Sequence, residues 1–254
     1  MAVRVQYLGV ILSLLTAFSA SADDMRPQVT IAVPEPMVAS ASGIAAPVEI
    51  VREAYRRIGF DMKIMVVPSE RSVRDANSGE ADGDIVQPAG IESGYPSLVR
   101  VPEPVISLDL VAISTGLDIQ MNGWNSLAPY KTCVVRGMKV IETGTEETRR
   151  VVVNTLASAL SMLKAGRCDF VLFVKPTWQD VDRLQMGSFH ELSPAVTTIS
   201  FYHYVNRRNA ELVPRLAAAL AEMRQDGTKA AITAADDQAT AAARQRSLMP
   251  SPSD

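Results

Sequence analysis

Short apolar runs alternate with amphipathic stretches along most of the chain. Val29 to Val33 (VTIAV) has the pattern of a buried strand, closed by Pro34. From Pro47 to Ile58 the apolar positions Val51, Ala54, Tyr55 and Ile58 recur at helical spacing; Pro47 suits the first turn and Gly59 the C-terminal cap. Met62 to Val67 (MKIMVV) predicts a second strand, stopped by Pro68. Ser69 to Ser78 predicts a helix stopped by Gly79, and Asp84 to Val86 a third short strand. This β-α-β-α-β order predicts a parallel sheet covered by helices. Val99 to Thr115 breaks the alternation. Pro102 and Pro104 exclude its first half from a central strand, and the apolar LDLVAIS follows. An extended crossing segment fits it best.

A second α/β series starts beyond this crossing. Thr132 to Val135 is a strand, and Thr145 to Arg150 reads as the opening of a short helix. Arg150 to Val153 is a strand, Leu156, Leu160 and Leu163 mark a helix face ending at Gly166, and Cys168 to Val174 is another strand. Ile199 to Asn206 (ISFYHYVN) is extended again. Leu212, Leu216, Leu220 and Met223 then line a helix capped by Gly227, and Pro214 confines its start to 210–213. The Ala-rich stretch from Lys229 to Arg246 is predicted helical, with a loose tail from Pro250 to Asp254.

The first residues stand outside this pattern. Arg4, an apolar run from Tyr7 to Phe18 and Ala20-Ser21-Ala22 before Asp23-Asp24 make a secretory signal, with cleavage expected after Ala22. The run is shorter than the ~20 residues a membrane span needs. No Cys follows it, so an exported, unlipidated protein in the periplasm is expected. Composition is that of an ordinary globular chain, 47% hydrophobic and 21% charged. Losing Arg4 leaves the mature chain slightly more acidic than the full chain's net charge of −3. With no basic stripe, no nucleic-acid partner is expected. Cys133 and Cys168 each open a strand-like run (TCVVR, CDFVLF). They are either a disulfide, which export permits, or two buried thiols; geometry decides. His190 and His203 add no metal-ligand spacing, and no cofactor fingerprint is present.

Several stretches in this order resemble the extracellular solute-binding proteins of family 3, the amino-acid-transporter type with the type II periplasmic fold. They are VTIAVPE, ANSGEADGDIV, GYPSLVRVPEPV, GWNSLAPYKTCVVRG, LASALSMLKAGRCDFVLF and YHYVNRRNAELVPRLAAALAEMRQDGT. The resemblance covers most of the mature chain. It implies a two-lobed α/β fold hinged at two crossing segments, with one lobe at 23–110 and 202–254 and the other at 111–201. It further implies a monomer that holds a small solute between the lobes and presents it to an inner-membrane ABC permease or a sensor. Two landmarks of amino-acid recognition are missing. The position of the carboxylate-gripping Arg falls near Tyr95, and that of the ammonium-binding Asp at Val174. The ligand is therefore expected to be small and polar or anionic, with no further identity.

Ligands in open α/β sheets bind beyond the C-terminal ends of strands. That rule selects Glu35 (with Met37), Arg71, Gln87, Arg136 with Thr145, and Lys175 with Trp178 as ligand-binding candidates. Arg71 and Arg136 offer planar five-donor forks. Thr145, read as a helix cap, offers free N–H groups, although Glu146 and Glu147 in the same turn oppose an anion. Tyr202 and His203 lie on the second crossing. No nucleophile motif accompanies the histidines, so an enzyme is not expected; a dehydratase-like acid at Glu35, Glu103 or Glu142 is the alternative. A third reading is an accessory or sensor protein without its own transporter.

Overall fold

The structure is a computed structural model and describes residues 26–38, 45–136, 139–174 and 189–248. The expected signal segment and tail lie outside these. The first three strands are β1 (Gln28–Pro34), β2 (Asp61–Val67) and β3 (Gly83–Pro88), all mutually parallel. Helices α1 (Ala46–Arg57) and α2 (Ser69–Ser78) connect them, as the hydrophobic pattern requires. Gly79 closes α2 at φ +89°, a conformation that side chains with a Cβ resist.

The proline-containing segment resolves into β4 (Leu98–Arg100) and β5 (Ile106–Ser114). Both lie along one edge of β10 (Thr197–Asn206). Between them Val101 and Val105 donate to His203 O (2.9 Å) and Phe201 O (2.9 Å). Pro102 and Pro104, which have no N–H, occupy the intervening positions.

The second series contains β6 (Lys131–Val135), α3 (Lys139–Gly144), β7 (Arg149–Val153), α4 (Leu156–Lys164) and β8 (Phe170–Val174). Thr155 caps α4 by accepting from Ser158 N. A two-residue strand, β9 (His190–Glu191), adds to β5. Two helices follow β10: α5 (Val213–Gln225), with Pro214 in its first turn, and α6 (Thr228–Leu248). None of the described helices is long and apolar enough to cross a membrane.

All strands join in one curled sheet of order β2-β1-β3-β10-β5-β8-β6-β7. Buried side chains segregate along it. One core, from Val29 to Val105 and from Val205 to Met223, packs under α1 and α5. Two more are built from residues between Leu110 and Ile199. Cys133 and Cys168 are disulfide-bonded within the α4-side core, with Cα atoms 5.7 Å apart. The bridge forms because β6 and β8 are sheet neighbours.

His203 belongs to the first core, fully buried against Tyr55. Its Nδ1 faces Ile85 O (3.2 Å), which only accepts, so Nδ1 carries the proton. Nε2 then accepts from the Tyr55 hydroxyl at 3.0 Å. Burial lowers the His203 pKa to about 4. The unfolded chain binds this proton first, so His203 costs stability as pH falls from about 6.5 toward 4. Tyr55→Phe leaves Nε2 buried and unpaired. Urea unfolding at pH 7 is expected to show a loss of about 1–2 kcal/mol.

Candidate functional site

The strand registers create the site. β3 ends at Pro88, opposite Phe201, which pairs with Ile106. β8 ends at Val174, opposite Leu110. β10 runs antiparallel to both β3 and β5, and β5 antiparallel to β8. The set β1-β2-β3 therefore runs opposite to the set β6-β7-β8. Their C-terminal ends face one another across the stretch from Ile106 to Leu110, about 14 Å at ~3.4 Å per residue. C-terminal strand ends are where open α/β sheets bind ligands, so the gap between these two sets is the candidate cleft.

Glu35 follows β1 and is exposed at this edge, with Met37 half-buried behind it. Gln87 stands beside Tyr202 near the end of β3, half-buried. Arg136 follows β6; its N–H donates to Val153 O (2.9 Å) and its side chain is exposed. Cys133 pairs with Val171, and extending that register by three residues puts Arg136 level with Val174. The fold thus brings Glu35 and Gln87 to one wall and Arg136 to the other. Lys175 and Trp178 lie outside the described residues.

Two candidates stand differently from expectation. Arg71 is at the cleft end of α2, but its guanidinium runs down the helix to Asp75 (3.5 Å) and Glu80 (4.0 Å). These two acids draw it away from the cleft. Thr145 does not open a helix. The helix is α3, ending at Gly144, and Thr145 follows its last turn, donating from both N–H and hydroxyl to Ile141 O (3.0 and 2.6 Å). Thr145 is fully buried, and Glu146 and Glu147 lie beyond the helix C-terminus, where the dipole favours cations. The expected cap and its free N–H groups are not there. Packing explains the shift: Ile141 is buried in the second core and Gly144 lies flat under the Trp124 ring.

The crossings contribute polar groups that the sequence pattern did not single out. Ser107 and Ser200 hydroxyls meet at 3.0 Å, and Thr198 donates to Asp109 at 2.9 Å. These exposed pairs share one face of β5 and β10. Arg100 lies 4.9 Å over the Tyr202 ring and pairs with Glu92 at 3.6 Å. Alternation along ISLDL (106–110) was the available signal for Ser107 and Asp109. Tyr95 packs in a small cluster with Ala76, Leu98 and Tyr204. Glu103 is held by Arg224 (2.8 Å) and Lys229 (3.4 Å), which keep its carboxyl below the usual range against the opposing effect of burial. That pairing suits a structural ion cluster better than a general acid.

Two other features qualify as concave or perturbed. A groove of about 580 Å³ runs between α1 and α6, lined by Glu49, Arg52, Glu53, Arg56 and Asp236. Its Glu–Arg groups pair with one another along α1. Asp84, beside Gln87 in β3, is fully buried, and burial raises its pKa to about 6. Among the described residues, no three or more His, Cys, Asp or Glu side chains cluster as a metal site.

No protein-family model matches the chain. An uncharacterized protein of Shewanella oneidensis is 21% identical over 237 residues, covering 86% of this chain and 90% of its own. Among solved structures, a histidine kinase sensor domain with similarity to periplasmic binding proteins superposes with TM-score 0.60 at 18% identity, covering 83% of this chain and 96% of that one. The GluR0 ligand-binding core in complex with L-glutamate gives TM-score 0.61 at 14% identity, covering 82% and 96%. These likenesses establish the fold, the two-lobed α/β architecture of periplasmic binding proteins.

Proposed function

We propose that the chain is an exported, monomeric binding protein that captures a small polar or anionic solute between two lobes and presents it to a membrane permease or sensor. The division we propose is residues 23–110 and 202–254 for one lobe and 111–201 for the other. The carrying observation is the head-on meeting of two parallel strand sets across Ile106–Leu110. Glu35, Gln87 and Arg136 flank that gap, and Lys175 and Trp178 follow β8 in the sequence. Arg136 is the anion-facing group in this reading, since its fork is exposed at the end of β6. The ligand stabilises a closed state by binding it better than the open one, with β5 and β10 as the hinge. Solute binding in the structural neighbours supports a small-molecule ligand, and the sensor domain among them supports a sensor as an alternative recipient.

A thermal-shift screen of the mature protein against small polar and anionic solutes tests the reading. At a ligand concentration 100-fold above Kd the stability gain is about 2.7 kcal/mol. A clear rise in Tm that disappears in Arg136→Ala is expected. A ligand consumed during incubation, or a shift untouched by Arg136→Ala, overturns the assignment.

A further inference from the structure

Asp84 is a carboxylate with no exposed surface, on β3 under α2. Neither oxygen completes a hydrogen bond with a described residue. Native proteins rarely leave such a group orphaned without a role. The elements packed against it, α2, β10 and β1, carry polar groups that are engaged elsewhere. From α2 come Ser72, whose hydroxyl donates to Ser69 O (3.2 Å), and Asp75, paired with Arg71 at 3.5 Å. From β10 come Tyr204, donating to Pro88 O at 2.9 Å, and His203, engaged with Tyr55 at 3.0 Å. From β1 comes Ala32. Just before its strand, Asp82 is held by the Thr30 N–H (2.8 Å) and Arg208 (2.8 Å). No cation among the described residues pairs with Asp84.

That leaves Gln87. The register shift that sets Gln87 opposite Tyr202 and Asp84 opposite Tyr204 keeps both on one side of β3; Gln87, Ser72 and the Val86 N–H favour the ionised carboxyl, although none completes a hydrogen bond. An ionised carboxylate only accepts; a protonated one also donates. A glutamine amide carries donors on nitrogen and an acceptor on oxygen, and flips to suit.

We propose that Asp84 is a proton-operated polarity switch for the cleft edge. Ionised, it takes an N–H from the Gln87 amide and turns the Gln87 carbonyl outward as an acceptor. Protonated, it donates to that carbonyl and turns the Gln87 NH2 outward as a donor. The same wall then favours a ligand hydroxyl or ammonium at higher pH and a carboxylate or carbonyl at lower pH. This rests on the reading of Gln87 as cleft-facing. Since burial places the carboxyl at about 6, both states are reached under mildly acidic conditions. The raised value means the buried charge costs stability above that pH, a cost relieved as pH falls toward 4.

The test is an NMR titration of the 15N-labelled mature protein, with no ligand. The Gln87 side-chain NH2 signals are assigned by their loss in Gln87→Leu. They are expected to shift between pH 7.5 and 5 with a midpoint near 6 in the wild type and to stay fixed in Asp84→Asn. A second readout needs no variant: with 13C-labelled aspartate, one carboxyl resonance titrates near 6 in the wild type. Gln87 signals that do not move, that move equally in Asp84→Asn, or an aspartate set titrating wholly below 5 overturn the switch. Because no ligand is used, failure to find a solute in the thermal screen leaves this outcome unaffected, so the two failures are distinguishable.

Discussion

Gly83→Ala is expected to be among the most damaging single substitutions in the protein, lowering stability by about 3 kcal/mol. Gly83 begins β3, between Ile31 of β1 and Val205 of β10. A Cβ there would stand 2.4 Å from the Tyr204 carbonyl oxygen, with His203 Cε1 and Ile31 Cδ1 both at 3.3 Å. The first of these is backbone in a paired strand, so relief requires opening the β3–β10 ladder. The neighbours on both sides are fixed: Asp82 N–H donates to Thr30 O (2.7 Å), and Asn206 N–H to Asp82 O (2.7 Å). Urea unfolding of the mature protein checks the value. A midpoint within error of wild type would show that the strands part at no cost and that Gly83 is not required for close approach.

Loss of the Cys133–Cys168 bridge carries the second large effect, about 3–4 kcal/mol. The bridge closes a loop with a sequence separation of 35, and constraining an unfolded chain over that length accounts for the magnitude. For a chain of this size the fall in Tm is roughly 6–16 °C, at 2–4 °C per kcal/mol. Two measurements separate the cross-link from packing. Oxidised and reduced wild type differ only in the bond, whereas Cys133→Ala/Cys168→Ala also empties space in the α4-side core. Both are expected to unfold earlier, the alanine pair earliest. Equal midpoints for oxidised and reduced protein would remove the bridge from the list of stabilising features.

These effects have different visibility in the sequence. The apolar runs VTIAV, MKIMVV and CDFVLF, with their helical partners, placed most elements, because burial of a periodic face dominates local structure. Asp84, by contrast, reads in the sequence only as the start of a strand. Its isolation depends on which donors α2 and β10 bring to it, and each of those is already engaged elsewhere. Arg71 was legible as a cleft-edge position, yet its direction follows from Asp75 and Glu80.

By itself the sequence determined the alternation of elements, the parallel strand sets and the ends at which Glu35, Gln87 and Arg136 emerge. All of these follow from local periodicity, proline and glycine positions. Only the tertiary structure decided that Cys133 and Cys168 are bridged, since their distance depends on β6 lying beside β8. It also moved the short helix to Lys139–Gly144. There the tertiary contact of Trp124 with Gly144 and the burial of Ile141 outweigh the Thr145-Glu146 capping signal, because a packed ring and a filled core are worth more than one exposed cap.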